Sequence, residues 1–263
     1  MVGLAAIGEF IDPYVYRYIQ QTGLGRVFKI GYQLLDHALI SALVERWRPE
    51  THTFYFPIGE ATITLQDVQI LWGLPINGDV VSGVWNNMTP DPWSDFAGQY
   101  LGIDVPPSKI KSGHILISAS CAKLNEPVSG TDRSHQQRAS IYFLAGLSSF
   151  LFPDGNSTSA PLNYVHHLIK FESLRWGSAV LAHVYRNLCC TAEKTDQSGI
   201  NGAMLLVQHW LYERIPSLAP RLLHDIVLTS NAPLDGPYGV VRTPELRTYT
   251  HTCIEYVSLS IVS

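Results

Sequence analysis

The chain has 263 residues, with 18 Lys and Arg against 22 Asp and Glu, which gives a formal net charge of −4 at pH 7. No run of Lys or Arg provides the positive patch of a protein that binds nucleic-acid backbones, so direct nucleic-acid binding is not expected. Charged residues make up 15% and apolar residues 46%, which predicts either a well-buried globular domain or a domain with an apolar surface that a protein partner covers.

The first predicted elements are two short helices with recognisable ends. The opening apolar stretch has no basic flank, so we expect neither a signal peptide nor a membrane anchor, and an intracellular protein follows. Asp12 and Pro13 are typical of a helix start, and Gly23 is typical of a helix stop. Asp36 can cap a second helix whose apolar residues recur at the helical period as far as Trp47.

Two small β-hairpins are predicted next, near residues 53–64 and 74–81. Thr, Ile and aromatic residues in the first range flank a Pro-containing turn, which is typical of a hairpin. The second range contains an Asn-Gly pair that favours the positive φ angles of a hairpin turn. Between the two ranges, Thr64 and Asp67 have the spacing of a capping box, which predicts a further helix.

The range 85–113 is rich in Pro and Gly and has no periodicity, so it is predicted to be a long loop. Its aromatic residues Trp85, Trp93, Phe96 and Tyr100 lie among polar residues. Aromatic side chains on loops commonly anchor protein interfaces, so this loop is predicted to form part of a protein-binding surface. The alternative is that the loop folds back and covers its own domain.

Apolar helical stretches dominate the second half, and the fold class is predicted to be mainly α (α+β), a multi-helix single domain over residues 1–216. Residues 217–263 are predicted to be an irregular tail or the shortened end of the same domain. The predicted helical stretches are 114–124, 134–152, 162–174, 177–191 and 201–215. The tryptophans predicted to anchor the core are Trp47, Trp72, Trp176 and Trp210.

Several motifs occur in a fixed order: WRPETHTF within residues 36–83, FLFPD within 139–154, WGSAVLA within 174–189 and LLVQHW within 200–216. In this series the chain resembles the plant mobile domain family, also called aminotransferase-like. The resemblance implies a nuclear, non-catalytic interaction module with a role in transposon silencing, gene expression and meristem maintenance. It also implies protein partners, either phosphatase-like proteins or other plant mobile domain proteins.

No cofactor is expected from the residues. Pyridoxal phosphate needs a Schiff-base lysine beside a phosphate cradle, and none of the six lysines lies in such a context. No metal site is expected either, since the ten histidines lack an HExxH pair and the four cysteines lack a CxxC pair. The cysteines are predicted to be reduced, buried thiols.

The end of the second helix concentrates charge. Arg46 and Arg48 could belong to a binding surface, but a structural role at the helix C-terminus is favoured. The acids Glu45, Asp67 and Asp79 support an alternative hypothesis, an uncharacterised enzyme of the hydrolase or transposon-derived nucleic-acid class. The sequence leaves enzymatic activity open and favours its absence.

Overall fold

A computed structural model of the chain describes residues 11–30, 33–81, 90–153, 159–170, 173–193 and 200–220. Helices dominate these residues and pack around two small antiparallel sheets, which confirms the mainly α (α+β) fold class. The helices are α1 (Pro13–Gln21), α2 (His37–Val44), α3 (Leu65–Trp72), α4 (Pro90–Leu101), α5 (Ile117–Ala122), α6 (Asp132–Gly146), α7 (Val165–Lys170), α8 (Trp176–Ala192) and α9 (Met204–Arg214). The strands are β1 (Trp47–Arg48), β2 (Thr53–Phe56), β3 (Gly59–Ala61), β4 (His114–Leu116) and β5 (Ser159–Pro161).

The helix starts predicted from capping residues are confirmed. Asp12 accepts a hydrogen bond from the backbone N–H of Tyr14 at 2.8 Å, at the start of α1. Asp36 caps α2 in the same way through its side chain. Thr64 and Asp67 form the full capping box of α3, with each side chain accepting from the other residue's backbone N–H. These ends are local interactions, which explains why the sequence predicts them well.

The hairpin predicted near residues 53–64 is confirmed as β2 and β3, but the sheet has a third strand. Trp47 lies in β1, where it pairs with Phe54 of β2. It does not continue the preceding helix, which ends at Val44. The indole ring of Trp47 packs against the ring of Phe54 at 4.8 Å between centroids, and its Nε1–H donates to Sγ of Cys189 at 3.3 Å. These long-range contacts outweigh the helical pattern of the local sequence.

The hairpin predicted near residues 74–81 does not form. Instead, the N–H of Asp79 donates to the carbonyl of Ser173 at 2.9 Å, and the N–H of Arg175 donates to the carbonyl of Asp79 at 3.0 Å. Gly78 has a φ of 120° and passes so close to Ser173 that a Cβ atom would lie 2.3 Å from its carbonyl oxygen. The glycine thus allows two distant backbone segments to meet. The second small sheet is formed by β4 and β5.

The prediction of a loop over residues 85–113 is also wrong for much of that range, because α4 occupies residues 90–101. The helix starts at a proline, which suits a first helical position. Trp93, Ala97 and Leu101 recur every fourth residue and are buried in a second apolar cluster that also contains Ile115. This buried stripe stabilises the helix despite its prolines and glycine.

The larger apolar cluster contains all four predicted tryptophan anchors, which are between 1% and 3% exposed. The role of these rings as core anchors is therefore confirmed. The tail prediction for 217–263 stays a prediction, since residues 221–263 lie outside the described residues.

The LLVQHW motif on α9 holds several elements together. Gln208 accepts from the N–H of Asp36 at 2.8 Å. His209 accepts from Nε1–H of Trp72 at 3.1 Å through Nδ1, and its Nε2 lies 2.5 Å from Oε1 of Gln33. An amide oxygen only accepts, so Nε2 carries the proton and the imidazole is neutral. Burial lowers the pKa of His209 from 6.5 to about 4.

Candidate functional site

The aromatic residues predicted to bind a partner do not form one exposed surface in the described part of the chain. Trp85 lies outside the described residues. Trp93 is only 7% exposed, and its ring packs against Phe96, which in turn packs against Tyr100. The ring of Trp93 therefore packs within its own domain, as the alternative for this segment describes. Phe96 and Tyr100 are half-buried.

Arg46 has the structural role that the sequence favoured. Its side chain is half-buried, and Nη1 donates to the carbonyl oxygen of Ala42 at 3.0 Å. That carbonyl belongs to the last turn of α2, where a cation complements the partial negative charge of the helix end. Arg46 therefore stabilises the end of α2.

Arg48, in contrast, is exposed on the outer face of the three-stranded sheet. Its guanidinium carbon lies 5.6 Å from the ring centroid of Tyr55, a cation–π contact. Side chains alternate along a strand, and Trp47 and Phe54 point to the core, so Arg48 and Tyr55 point to the opposite face. Glu60 pairs with Tyr55 in the register and shares that outer face.

A hydrogen-bonded chain of side chains orders the same face. The hydroxyl groups of Thr51 and Thr53 lie 2.7 Å apart. Thr53 donates its hydroxyl hydrogen to Oε2 of Glu60 at 2.8 Å, so Thr51 is the donor to Thr53. This arrangement leaves Glu60 without an ion pair to a described residue.

The turn between β2 and β3 exposes an aliphatic side chain. Ile58 is 98% exposed, and Tyr55 on the adjoining strand is 53% exposed. Two-residue hairpin turns favour Asn, Asp and Gly, whereas this turn contains Pro57 and Ile58. An exposed isoleucine contributes no burial of apolar surface to the stability of the fold. Exposed apolar groups of this kind anchor protein interfaces. We name Arg48, Thr53, Tyr55, Ile58 and Glu60 the hairpin surface.

The hairpin surface rests on a rigid support. His52 has a φ of 53° and stacks on the ring of Tyr185 in α8, with 5.5 Å between centroids. Thr62 donates to the carbonyl oxygen of His52 at 2.7 Å, and Tyr185 donates to the carbonyl oxygen of Ile63 at 2.6 Å. Burial raises the pKa of the Tyr185 phenol. These contacts join the two ends of the hairpin to each other and attach them to Tyr185 of α8.

Comparisons with known proteins show which family the chain belongs to. The family model described as plant mobile domain matches residues 23–249. The chain belongs to the plant mobile domain family. It is 37% identical over 231 residues to the Serine/threonine-protein phosphatase 7 long form homolog of Arabidopsis thaliana, covering 86% of this chain and 17% of that protein. It is 34% identical over 203 residues to Protein MAINTENANCE OF MERISTEMS of the same plant, covering 74% of this chain and 41% of that protein.

A third relative, Protein MAIN-LIKE 2 of Arabidopsis thaliana, is 32% identical over 243 residues, which cover 88% of this chain and 36% of that protein. The chain thus spans less than half the length of these relatives. No solved structure matches the chain. In this plant mobile domain, the WRPETHTF motif forms β1, the following turn and the start of β2, and it contributes Arg48 and Thr53 to the hairpin surface.

The acids of the enzyme alternative have separate surroundings. Both side-chain oxygens of Asp67 are occupied, one by the capping box and one by Arg214 at 2.8 Å. Asp79 contributes backbone groups to the contact with Ser173, and Glu45 is exposed beyond the end of α2. Among the described residues, no three His, Cys, Asp or Glu side chains form a group that could hold a metal ion.

Two further features concern the described residues only. The described cysteines, Cys121, Cys189 and Cys190, are free thiols, but the prediction that they are buried is wrong, because Cys190 is exposed and the other two are only partly buried. Cys253 lies outside this part of the chain. No helix in the described ranges is long and apolar enough to cross a lipid bilayer.

Sequence reasoning found Arg48 but missed the other members of the hairpin surface as candidate binding residues. Tyr55 and Ile58 lie in a segment that the sequence identified only as a hairpin. The available signal was the isoleucine in a two-residue turn, because a departure from turn chemistry without a structural benefit points to function.

Proposed function

We propose that this plant mobile domain is a non-catalytic protein-interaction module that works in the nucleus and recognises its partners through the hairpin surface. Its role would lie in transposon silencing, gene expression and meristem maintenance. The partners would be phosphatase-like proteins or other plant mobile domain proteins. The names of two relatives, a phosphatase 7 long form homolog and MAINTENANCE OF MERISTEMS, support this direction.

The observation that carries the proposal is the exposure of Ile58 in the turn of a hairpin whose outer face carries Tyr55 and Arg48. Ile58 is 98% exposed, and strands β1 and β2 of the same sheet carry a half-exposed tyrosine in a cation–π contact with a guanidinium group. Tyr and Arg are enriched among the residues that dominate interface energetics. The rigid support from α8 reduces the conformational entropy that is lost on binding.

The test is capture of nuclear proteins by the purified, tagged chain, with quantitative mass spectrometry of the bound fraction. The test variant is Ile58→Asp, which places a charge at the turn of the hairpin surface. The matched control is Ile70→Asp, because Ile70 is also an exposed isoleucine, at 77%, but lies on α3. A contact of hot-spot strength contributes about 2 kcal/mol, so Ile58→Asp should weaken capture roughly thirtyfold.

The outcome that supports the proposal is loss of a defined set of nuclear proteins with Ile58→Asp and their retention with Ile70→Asp. Equal capture by the two folded variants contradicts it. Imaging of the fluorescently tagged chain in plant cells tests the nuclear location independently, since exclusion from the nucleus contradicts that part of the proposal.

A further inference from the structure

The free edge of the three-stranded sheet presents backbone groups in a defined orientation. The strand order is β1, β2, β3, so β3 is an edge strand. Tyr55 in β2 donates its N–H to the carbonyl of Arg46, on the side of β1. In an antiparallel ladder, the N–H and C=O of one residue point to the same neighbour. The pair formed by Tyr55 and Glu60 is therefore the non-hydrogen-bonded kind.

It follows that the N–H and C=O of Glu60 point away from β2, to the open side of the sheet. No hydrogen bond from another described residue reaches either group. An antiparallel strand placed along β3 would exchange both hydrogen bonds with Glu60 through a single residue. This is the geometry by which sheet edges bind extended peptides.

The side chains of β3 indicate which type of peptide residue would lie opposite Glu60. Glu60 is an exposed carboxylate whose only described partner is the hydroxyl of Thr53, and opposite charges attract when they face each other across strands. The peptide residue opposite Glu60 should therefore carry a positive charge.

The neighbours of Glu60 on β3 favour apolar residues on either side of that cation. On the inner face of the sheet, Ala61 has only a methyl group and Gly59 has no side chain, and no atom lies within 4 Å of the position that a Cβ atom of Gly59 would take. On the same face, Phe56 pairs with Gly59 across the two strands and is partly buried against the main core. Two apolar peptide side chains would cover this part of the inner face.

Resting on the proposed function, we propose that β3 binds an extended segment of a partner protein in which a Lys or Arg lies between two apolar residues. The segment adds a fourth, antiparallel strand to the sheet. Ile58, at the turn, contacts the end of that strand. This assigns the partner's chemistry: a basic, β-prone segment whose backbone amides are free.

The test is an NMR titration of the purified full chain with the peptide acetyl-Thr-Val-Lys-Val-Thr-amide. The matched control peptide carries an N-methyl group on the lysine amide, which removes one hydrogen bond to Glu60 and keeps the charge. A second control replaces the lysine by glutamate. A net hydrogen bond contributes about 1 kcal/mol, and blocking it adds a steric clash, so the N-methyl peptide should bind at least about tenfold more weakly.

A protein variant tests the same contact from the other side. Glu60→Pro removes the outward N–H and leaves the β2–β3 hydrogen bonds intact, because proline is tolerated where an edge N–H faces solvent. Glu60→Gln keeps the backbone donor and removes the charge. We expect both variants to weaken binding of the lysine peptide, and circular dichroism checks that each is folded. The peptide controls on the unaltered chain test the proposal even where Glu60→Pro does not fold.

Four results overturn the inference. They are absence of binding at up to about 5 mM lysine peptide, equal binding of the N-methyl peptide, protection of the Glu60 amide from hydrogen exchange in the peptide-free monomer, and a dimer that dissociates in Glu60→Pro. Protection of the Glu60 amide in the monomer would show that residues of this chain already pair with the edge. A dimer that dissociates in Glu60→Pro would show that a second copy pairs with it. If Glu60→Pro captures nuclear partners as the unaltered chain does while Ile58→Asp does not, the proposed function stands and the edge pairing alone fails.

Discussion

The buried histidine on α9 makes the stability of this domain dependent on pH in a defined window. His209 is 5% exposed and is neutral in its hydrogen bonds to Trp72 and Gln33. Burial lowers its pKa from 6.5 to about 4. Below pH 6.5 the unfolded chain therefore binds a proton that the folded chain does not, so stability falls as the pH falls.

The magnitude follows from the two pKa values. Between pH 7 and pH 4 the difference in proton binding amounts to about 3 kcal/mol of unfolding free energy, and the loss approaches its limit below the folded pKa of about 4. This is a large fraction of the 5–15 kcal/mol that is typical of a folded domain, roughly a fifth to three fifths.

The assay is urea denaturation at half-unit steps from pH 7 to pH 4, for the unaltered chain and for His209→Gln. Glutamine does not titrate, and its amide can accept from Trp72 and donate to Gln33 in place of the imidazole. We expect the unaltered chain to lose about 3 kcal/mol more than His209→Gln over this range. Parallel pH profiles for the two proteins would refute the reasoning, because the carboxylates that remain in both would then account for the whole pH dependence.

Three further predictions concern stability and are measured by thermal and urea unfolding. Trp176→Ala should cost about 3 to 5 kcal/mol, since the ring is 1% exposed in the main core; an unchanged midpoint would show that the ring does not anchor it. Gly78→Ala should destabilise more than Gly59→Ala: both glycines have positive φ, but only at Gly78 does a Cβ meet the carbonyl of Ser173 at 2.3 Å, and equal losses would contradict that clash. Thr64→Ala should cost about 1 kcal/mol through loss of the capping box of α3, and no loss would show that the cap is dispensable.

The parts of the fold that the sequence predicts correctly depend on neighbouring residues. Asp36 and Thr64 cap helices through backbone N–H groups that lie three residues away, so the signal is contained in a short window. The hairpin of β2 and β3 is equally local. These features need no knowledge of the rest of the chain.

The parts that the sequence predicts incorrectly depend on distant partners. Trp47 leaves the helical pattern because it pairs with Phe54 and contacts Cys189, which is 142 residues away. Asp79 pairs with the backbone around Ser173 and not within its own hairpin. The helix α4 forms because Trp93 finds a buried cluster that residues far along the chain complete. Periodicity alone does not reveal such contacts.

The candidate site shows the same division. The sequence identifies the charge at Arg46 and Arg48 but cannot separate the two roles, because that depends on which face each side chain occupies. In the structure, the side chain of Arg46 binds the end of α2, and the side chain of Arg48 lies on the outer face of the sheet. Exposure of Ile58 is a property of the folded chain, so its candidacy emerges only from the structure.

The most direct test of the central claim is site-specific photo-crosslinking in plant nuclei. A photoreactive phenylalanine analogue at position 58 probes the hairpin surface, and the same analogue at position 116 is the control, because Leu116 is another exposed apolar residue, at 48%, on β4. We predict a discrete set of crosslinked proteins from position 58 that position 116 does not yield. Crosslinks from position 116 alone, or the same set from both positions, would contradict recognition through the hairpin surface.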